Sequence, residues 1–260
     1  HSRIEKNGFA EKIDHANSIS DGELVDNRIG ENGFADSLVN TPNIQNCKIL
    51  NAIIGKNGFA TTSNANINGC KIVNARIGKN GFLEKNGGVV NTTAVYADKN
   101  EYSKEKTNPY YTEYFTPYGN GEGGYQYLVI GVAPDGTIGN TNTAGFVLGD
   151  TGWHSVISGC SVAGTIYGQD VAGFIGNVGD SNNSSVKTSY ANVIIHATGK
   201  ATGFAFTAGT QTEISGCHTL GIIDAKSDAC GLLEKAGDGT KITGNYSALW
   251  SITATGWYPF

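Results

Sequence analysis

One unit of 23 to 30 residues recurs along this chain, and that recurrence limits the fold more than any other feature. Asn7-Gly8-Phe9-Ala10 returns as Asn32-Gly33-Phe34-Ala35, Asn57-Gly58-Phe59-Ala60 and Asn80-Gly81-Phe82-Leu83, at intervals of 25, 25 and 23 residues. Upstream of the last three phenylalanines, Ile19 to Phe34, Ile44 to Phe59 and Ile67 to Phe82 align over sixteen positions. The later chain uses the same parts more loosely. Gly145-Phe146, Gly173-Phe174, Gly203-Phe204, Gly231-Leu232 and Gly256-Trp257 follow at intervals of 28, 30, 28 and 25. Ile157-Ser158-Gly159-Cys160 and Ile214-Ser215-Gly216-Cys217 restate Ile67-Asn68-Gly69-Cys70, and Ile242-Thr243-Gly244-Asn245 is a diverged copy. Self-similarity at this period means stacked supersecondary units, each unable to bury its apolar face alone.

The rhythm inside each unit is that of short strands. From Ile67 to Phe82 the β-branched residues come in small groups broken by Gly or Asn. No stretch holds a 3.6-residue period over the ten or more residues a helix needs. Thirty-seven glycines among 260 residues also argue against helix, where each would cost about 1 kcal/mol. Asn-Gly is read as the corner between strands, because both residues tolerate positive φ. A leucine-rich horseshoe would need Leu at fixed positions, and a hexapeptide β-helix would need a six-residue sub-period. The expectation is therefore an all-β, right-handed parallel β-helix of about nine coils. Its buried ladders are Phe9, Phe34, Phe59, Phe82, Phe146, Phe174 and Phe204, and Cys47, Cys70, Cys160 and Cys217. Stacked thiols either pair as disulfides or serve as small buried hydrophobes, and the free-thiol reading is the expectation.

One interval breaks the pattern. Phe82 and Phe146 are 64 residues apart, more than two ordinary units. The segment runs from a charged stretch, Lys99 to Lys106, into Tyr110, Tyr111, Tyr114, Phe115, Tyr118, Tyr125 and Tyr127. Tyr125 to Val132 reads as a strand, Ala133-Pro134-Asp135-Gly136 as a turn and Thr137-Ile138-Gly139 as its return. The organisation expected is N-terminal coils over 1–98, a Tyr-rich insertion or connector over 99–143, and C-terminal coils over 144–260. Insertions in solenoids lie on one face, often the binding face. Tyr110, Tyr111, Tyr114, Phe115, Tyr118 and Tyr125, with Trp153, are therefore the candidate binding residues. The competing reading is that these rings only cover a coil left uneven by the insertion.

No catalytic, cofactor or metal motif accompanies the repeats. A nucleophile elbow, a phosphate loop and an HExxH helix are absent, and the cysteine spacings fit no zinc site. No catalytic residue, metal ligand or cofactor is assigned. A net charge of −5 without an arginine-rich stripe argues against nucleic acid, and no apolar run is long enough to span a membrane. The strongest enzyme alternative is a polysaccharide-active β-helix, a glycoside hydrolase or lyase using Asp150, Asp170 or Asp180, with Asp224 and Asp228 near the next corners. Trp153 and His154 lie close to Asp150, but corner aspartates are also what turns ordinarily use.

The C-terminal units resemble the GLUG-type repeat of large bacterial surface proteins, including immunoglobulin-A-cleaving metallopeptidases and adhesin-like proteins. The residues that carry the resemblance are Gly173-Phe174, Ile157 to Ile166, Gly203-Phe204, Ile214 to Ile223 and Gly231-Leu232. The usual Gly-Leu-Val-Gly stands here as Gly173-Phe174-Ile175-Gly176, and the tyrosine insertion has no counterpart. The resemblance implies a secreted or cell-wall-attached bacterial protein in which this region is a non-catalytic spacer and a binding module for a host protein or glycan. It also implies further domains of the same polypeptide; a metallopeptidase domain would be one of those.

Overall fold

The computed structural model describes residues 2–40, 43–98, 128–150, 155–179 and 184–258. Among them every strand belongs to one of four sheets, and every strand pair is parallel. The chain is a parallel β-helix. Each coil passes from a first-sheet strand such as Ala35–Val39 to a second-sheet strand such as Asn43–Gln45, and then along the third sheet. The first and second sheets each contain eight strands, and Ser2–Ile4 adds a strand of a preceding partial coil to the third.

In the first coils the third-sheet strand is broken in two, as in Lys48–Leu50 and Ile53–Ile54. In the later coils it runs unbroken for eight residues, in Ser161–Gly168, Tyr190–Ala197, His218–Ala225 and Tyr246–Thr253. A short fourth sheet then appears, from Thr143–Ala144 to Gly256–Tyr258. Strict alternation of burial along Ser161–Gly168 sends Val162, Gly164, Ile166 and Gly168 inward and Ser161, Ala163, Thr165 and Tyr167 outward.

The core is built from rows of like residues. Ile4, Ile29, Ile54, Ile77, Ile130, Ile166, Ile195, Ile223 and Ile252 are register partners in succession. Phe34, Phe59, Phe82, Phe146, Phe174 and Phe204 stack with ring centroids 4.5 to 5.1 Å apart, close to the natural spacing of strands. Phe9 begins this stack 4.5 Å from Phe34 and is 45% exposed.

The Asn-Gly pair before each phenylalanine does not do what its sequence suggests. Gly33, Gly58 and Gly81 do not have positive φ, and neither do Asn32, Asn57 and Asn80. The glycines are needed because the backbones of neighbouring coils touch there: a Cβ on Gly33 would lie 2.0 Å from the Gly58 carbonyl oxygen. The asparagines are fully buried and form an amide ladder. Asn32, Asn57 and Asn80 each donate Nδ2 to the Oδ1 of the asparagine one coil earlier at 2.9 Å, and the last Oδ1 accepts from the Ala144 N–H. The ladder satisfies polar groups that the touching backbones leave no water to reach.

The left-handed corners lie elsewhere. Asp21, Asn46, Gly69, Thr92, Gly159, Thr188, Gly216 and Gly244 all have positive φ, at one repeat position in eight successive coils. A second set, Asp26, Asn51 and Asn74, makes the break in the third-sheet strands of the first coils. Thr92 and Thr188 hold this conformation despite β-branching, so stacking imposes it against local preference.

The long interval between Phe82 and Phe146 is a single coil. Ser161–Gly168 pairs through Ser161 to Ala163 with Ala94–Tyr96 and through Thr165 and Ile166 with Val129–Ile130, so these two strands are halves of one rung. Leu128 sits where Ala75 sits one coil earlier, since the Val129 N–H donates to the Ala75 carbonyl at 3.0 Å. The insertion therefore leaves from the corner that Asn74 makes in that coil. Asn74 grips its root by donating to the Asp98 carbonyl at 2.9 Å and accepting the Asp98 N–H at 2.8 Å. A second, smaller excursion is a hairpin closed by the antiparallel bridge Val132 to Ile138 around Pro134-Asp135.

Candidate functional site

The outward face of the third sheet carries aromatic rows, on the strands that follow the rung of Tyr96 and Val129. Tyr190, His218 and Tyr246 are successive register partners, with centroids 5.0 and 4.8 Å apart and interplanar angles of 7° and 1°. Tyr167 and His196 form a second stack at 4.9 Å, and His196 Nδ1 is 3.4 Å from Asp224 Oδ2 on the next coil. Between the two rows lie Asn192, Ile194, Leu220 and Ile222, all partly exposed. The row of Val25, Leu50, Val73 and Tyr96, which passes the insertion root, continues through Ala163, Asn192, Leu220 and Ala248. Trp250 projects from the last of these strands at 75% exposure, where the register slips by one residue opposite Gly221 and Ile222. A bulge of this kind re-aims a side chain out of the ladder.

The two histidines hold different repeat phases, His218 opening its strand and His196 lying near the end of the strand one coil earlier. Folding shows that each stacks on a tyrosine. Partial burial between Tyr190 and Tyr246 holds the His218 pKa below its ordinary value. The unfolded chain therefore binds a proton first as the pH falls, so His218 costs no stability above its unfolded value of 6.5 and progressively more as pH drops below it. His218→Tyr, which extends the tyrosine row with a ring that does not titrate there, should flatten the fall in urea midpoint between pH 8 and pH 5. An unchanged slope would assign that fall to other groups.

The expected binding residues Tyr110, Tyr111, Tyr114, Phe115, Tyr118, Tyr125 and Trp153 lie outside the described residues, as do His154 and Asp180. Of the remaining aspartates, Asp170 and Asp228 flank Lys200 at one corner, while Asp150 and Asp224 lie elsewhere. Asp150 ends a first-sheet strand, whereas Asp170 follows a third-sheet strand at a different corner. Asp170 Oδ1 accepts the Lys200 N–H at 2.8 Å, so it caps the coil above. Lys200 in turn lies between Asp170 and Asp228 and donates to Glu234 at 3.0 Å, which holds its pKa above the usual lysine value. That basic neighbour is thirty residues away in sequence and one coil away in space. Asp224 belongs to the His196 pair on the outward face.

The cysteine row is interleaved with other small polar residues. In coil order the position before each of these third-sheet strands holds Gly22, Cys47, Cys70, Thr93, Cys160, Ser189, Cys217 and Asn245. Cys47, Thr93, Cys160, Ser189 and Cys217 each donate to the carbonyl two residues earlier, across the left-handed corner. Thiol and hydroxyl do the same job there, which the cysteine spacing alone conceals. All five thiols are free and buried, and burial raises Cys160 to about 12 and Cys217 to about 11. Native protein at pH 8 should therefore leave Cys160 and Cys217 unreacted with DTNB, and denaturant should release the full five thiols of a reduced sample. Fast native labelling of either would show that the coil stack opens there.

A polar groove of about 460 Å³ runs beside this row in the first coils, lined by Asp21, Glu23, Asn46, Lys48, Lys71 and Thr92. Its two acids and two lysines balance one another. No cluster of metal-ligating side chains occurs among the described residues, and no described helix is long and apolar enough to cross a membrane. Comparison with known protein families, with curated proteins and with solved structures finds no match to this chain.

Proposed function

We propose that this chain is a non-catalytic β-helical module that acts as a rigid spacer and presents a contact face to a host protein or glycan. The observation that carries this reading is the outward face of the third sheet. There the tyrosine–histidine rows and the exposed Trp250 follow the rung of Tyr96 and Val129, from which the tyrosine-rich insertion leaves. Eight register-locked coils at about 4.8 Å per coil give a stiff scaffold roughly 35–40 Å long behind that face. Tyrosine and tryptophan suit such contacts because each offers a large apolar ring with a polar edge. A place in a secreted or wall-attached bacterial protein, beside other domains of the same polypeptide, fits a spacer of this form and the GLUG-type resemblance.

The test is a binding screen against host proteins and glycan arrays, run with the wild type and two variants. One variant replaces residues 99–127 by a short Gly/Ser linker. The other changes Tyr190, Tyr246 and Trp250 to serine. Both should keep the circular-dichroism spectrum of the parent, and binding should fall at least about tenfold in each. Absence of any hit for the wild type would leave the module as a spacer alone. Retained binding in the serine variant would remove the third-sheet face from the contact.

A further inference from the structure

The cysteine row contains one anomaly. Thr93 separates Cys70 from Cys160, Ser189 separates Cys160 from Cys217, and only Cys47 and Cys70 sit on neighbouring coils. The Lys71 N–H donates to the Cys47 carbonyl at 2.9 Å, and the strands that follow the two cysteines run in register from Lys48 and Lys71. Neighbouring rungs place equivalent Cα atoms about 4.8 Å apart, inside the roughly 4.4–6.8 Å that a disulfide accepts. Both side chains are buried in the core at the same repeat position on neighbouring rungs, and each thiol donates to the carbonyl two residues earlier. On its other side Cys47 faces Gly22. A Cβ built there would lie 2.7 Å from the Phe9 ring and 3.5 Å from Cys47 Sγ. On that side Cys47 is thus covered by the coil of Gly22 and a Phe9 ring that is itself 45% exposed.

We propose that Cys47 and Cys70 are a redox-active pair that closes into a disulfide between neighbouring coils when the protein meets a small-molecule disulfide such as oxidised glutathione. The Cys47 thiolate attacks one sulfur of the oxidant, whose S–S bond breaks and releases one glutathione thiolate. The sulfur of Cys70 then attacks Cys47 Sγ and displaces the second glutathione, while its proton passes to the glutathione thiolate released in the first step. Two protein thiols are oxidised, the oxidant is reduced to two thiols, and the new bond closes a ring of one complete coil. The order of the steps follows from position and acidity: Cys47 lies on the side covered by the Phe9 ring, and interaction with Cys70 holds its thiol at about 7, while Cys47 and burial push Cys70 up. Cys160, Cys217 and Cys230 lack a thiol on an adjacent rung, so the chemistry is confined to this pair.

Incubating the folded 260-residue chain with oxidised glutathione and then counting thiols in denaturant tests this directly. The count should fall by two from five, the mass should drop by about 2 Da, and a non-reducing peptide map should join Cys47 to Cys70. Dithiothreitol should reverse all three changes. Cys47→Ser keeps a hydrogen-bond donor of the kind Ser189 supplies in the same row, so it should fold, and its thiol count should start one below the wild type and not change with the oxidant, with no cross-link. Phe9→Ala should speed closure by roughly tenfold by thinning the cover over Cys47. Five thiols remaining, a stable glutathione adduct without cross-link, or a bridge involving Cys160 or Cys217 would each overturn the proposal.

Discussion

Gly58→Ala should destabilise the protein by roughly 3 kcal/mol or more, an unusual cost for one added methyl group. The new Cβ would lie 1.9 Å from the Gly81 carbonyl oxygen and 2.7 Å from Ile72 Cδ1. Neither neighbour can retreat. Gly58 N–H donates to Asn80 at 2.9 Å and Phe59 N–H to Phe82 at 2.8 Å, while Gly33 N–H is held by Asn57 on the other side. Moving the backbone apart at this point would stretch hydrogen bonds in two coils at once. Gly159→Asn is the control, although Gly159 has φ +62 and looks the more constrained glycine. Its Cβ would be 3.7 Å from Thr92 Cγ2, an ordinary contact, and asparagine already holds this corner at Asn46 with φ 53. That exchange should stay within about 0.5 kcal/mol of neutral. Equal losses in urea unfolding would mean that conformational freedom, and not coil contact, selects glycine before phenylalanine.

The contrast between these two glycines shows what kind of information the sequence carried. Repeat spacing announced the coil, because stacking forces equivalent residues into one row and so writes the same residues at each interval. Phe34, Phe59 and Phe82 and the isoleucine row were legible for that reason. What the spacing could not separate was two uses of glycine. Gly33 is selected by contact with a carbonyl one coil away, and Gly69 by its own left-handed φ of +65. Both appear as a glycine beside asparagine. The buried amide ladder of Asn32, Asn57 and Asn80 was visible only as a turn signal, since a corner asparagine and a ladder asparagine are identical on the page.

Rows whose chemistry is shared by different residue types were harder still. Cys70, Thr93, Cys160 and Ser189 fill one position because each offers a small donor to a corner carbonyl, yet only the cysteines attract notice. The tyrosine–histidine rows were hidden in the same way, as was the contact of Asp170 with Lys200 thirty residues later. The 64-residue interval reads in the sequence as an insertion or connector. Its coil has an ordinary rung, with Ala94–Tyr96 and Val129–Ile130 pairing the same strand of the next coil, and chain is added at two places, after Asp98 and in the Val132–Ile138 hairpin.

Phe59→Ala should cost about 3–5 kcal/mol and split unfolding into two steps. Phe59 is 1% exposed and stacked between Phe34 at 4.5 Å and Phe82 at 4.7 Å, so truncation opens a void with a ring on either side. Phe9→Ala removes a ring that touches one neighbour and stands 45% exposed, and should cost about 1–2 kcal/mol. In a solenoid each coil is supported only by the coils next to it, so a weakened coil uncouples the arrays on its two sides. The chain contains reporters for both. Cys47 and Cys70 lie beside the lesion, whereas Trp153, Trp250 and Trp257 all follow the insertion. In the Phe59 variant the first two thiols should react with DTNB at a lower urea concentration than the one that shifts tryptophan fluorescence. The wild type should lose both signals together. Coincident transitions in the variant would show that the eight coils unfold as one cooperative unit, and that the nine-isoleucine row running past the insertion ties the two arrays together.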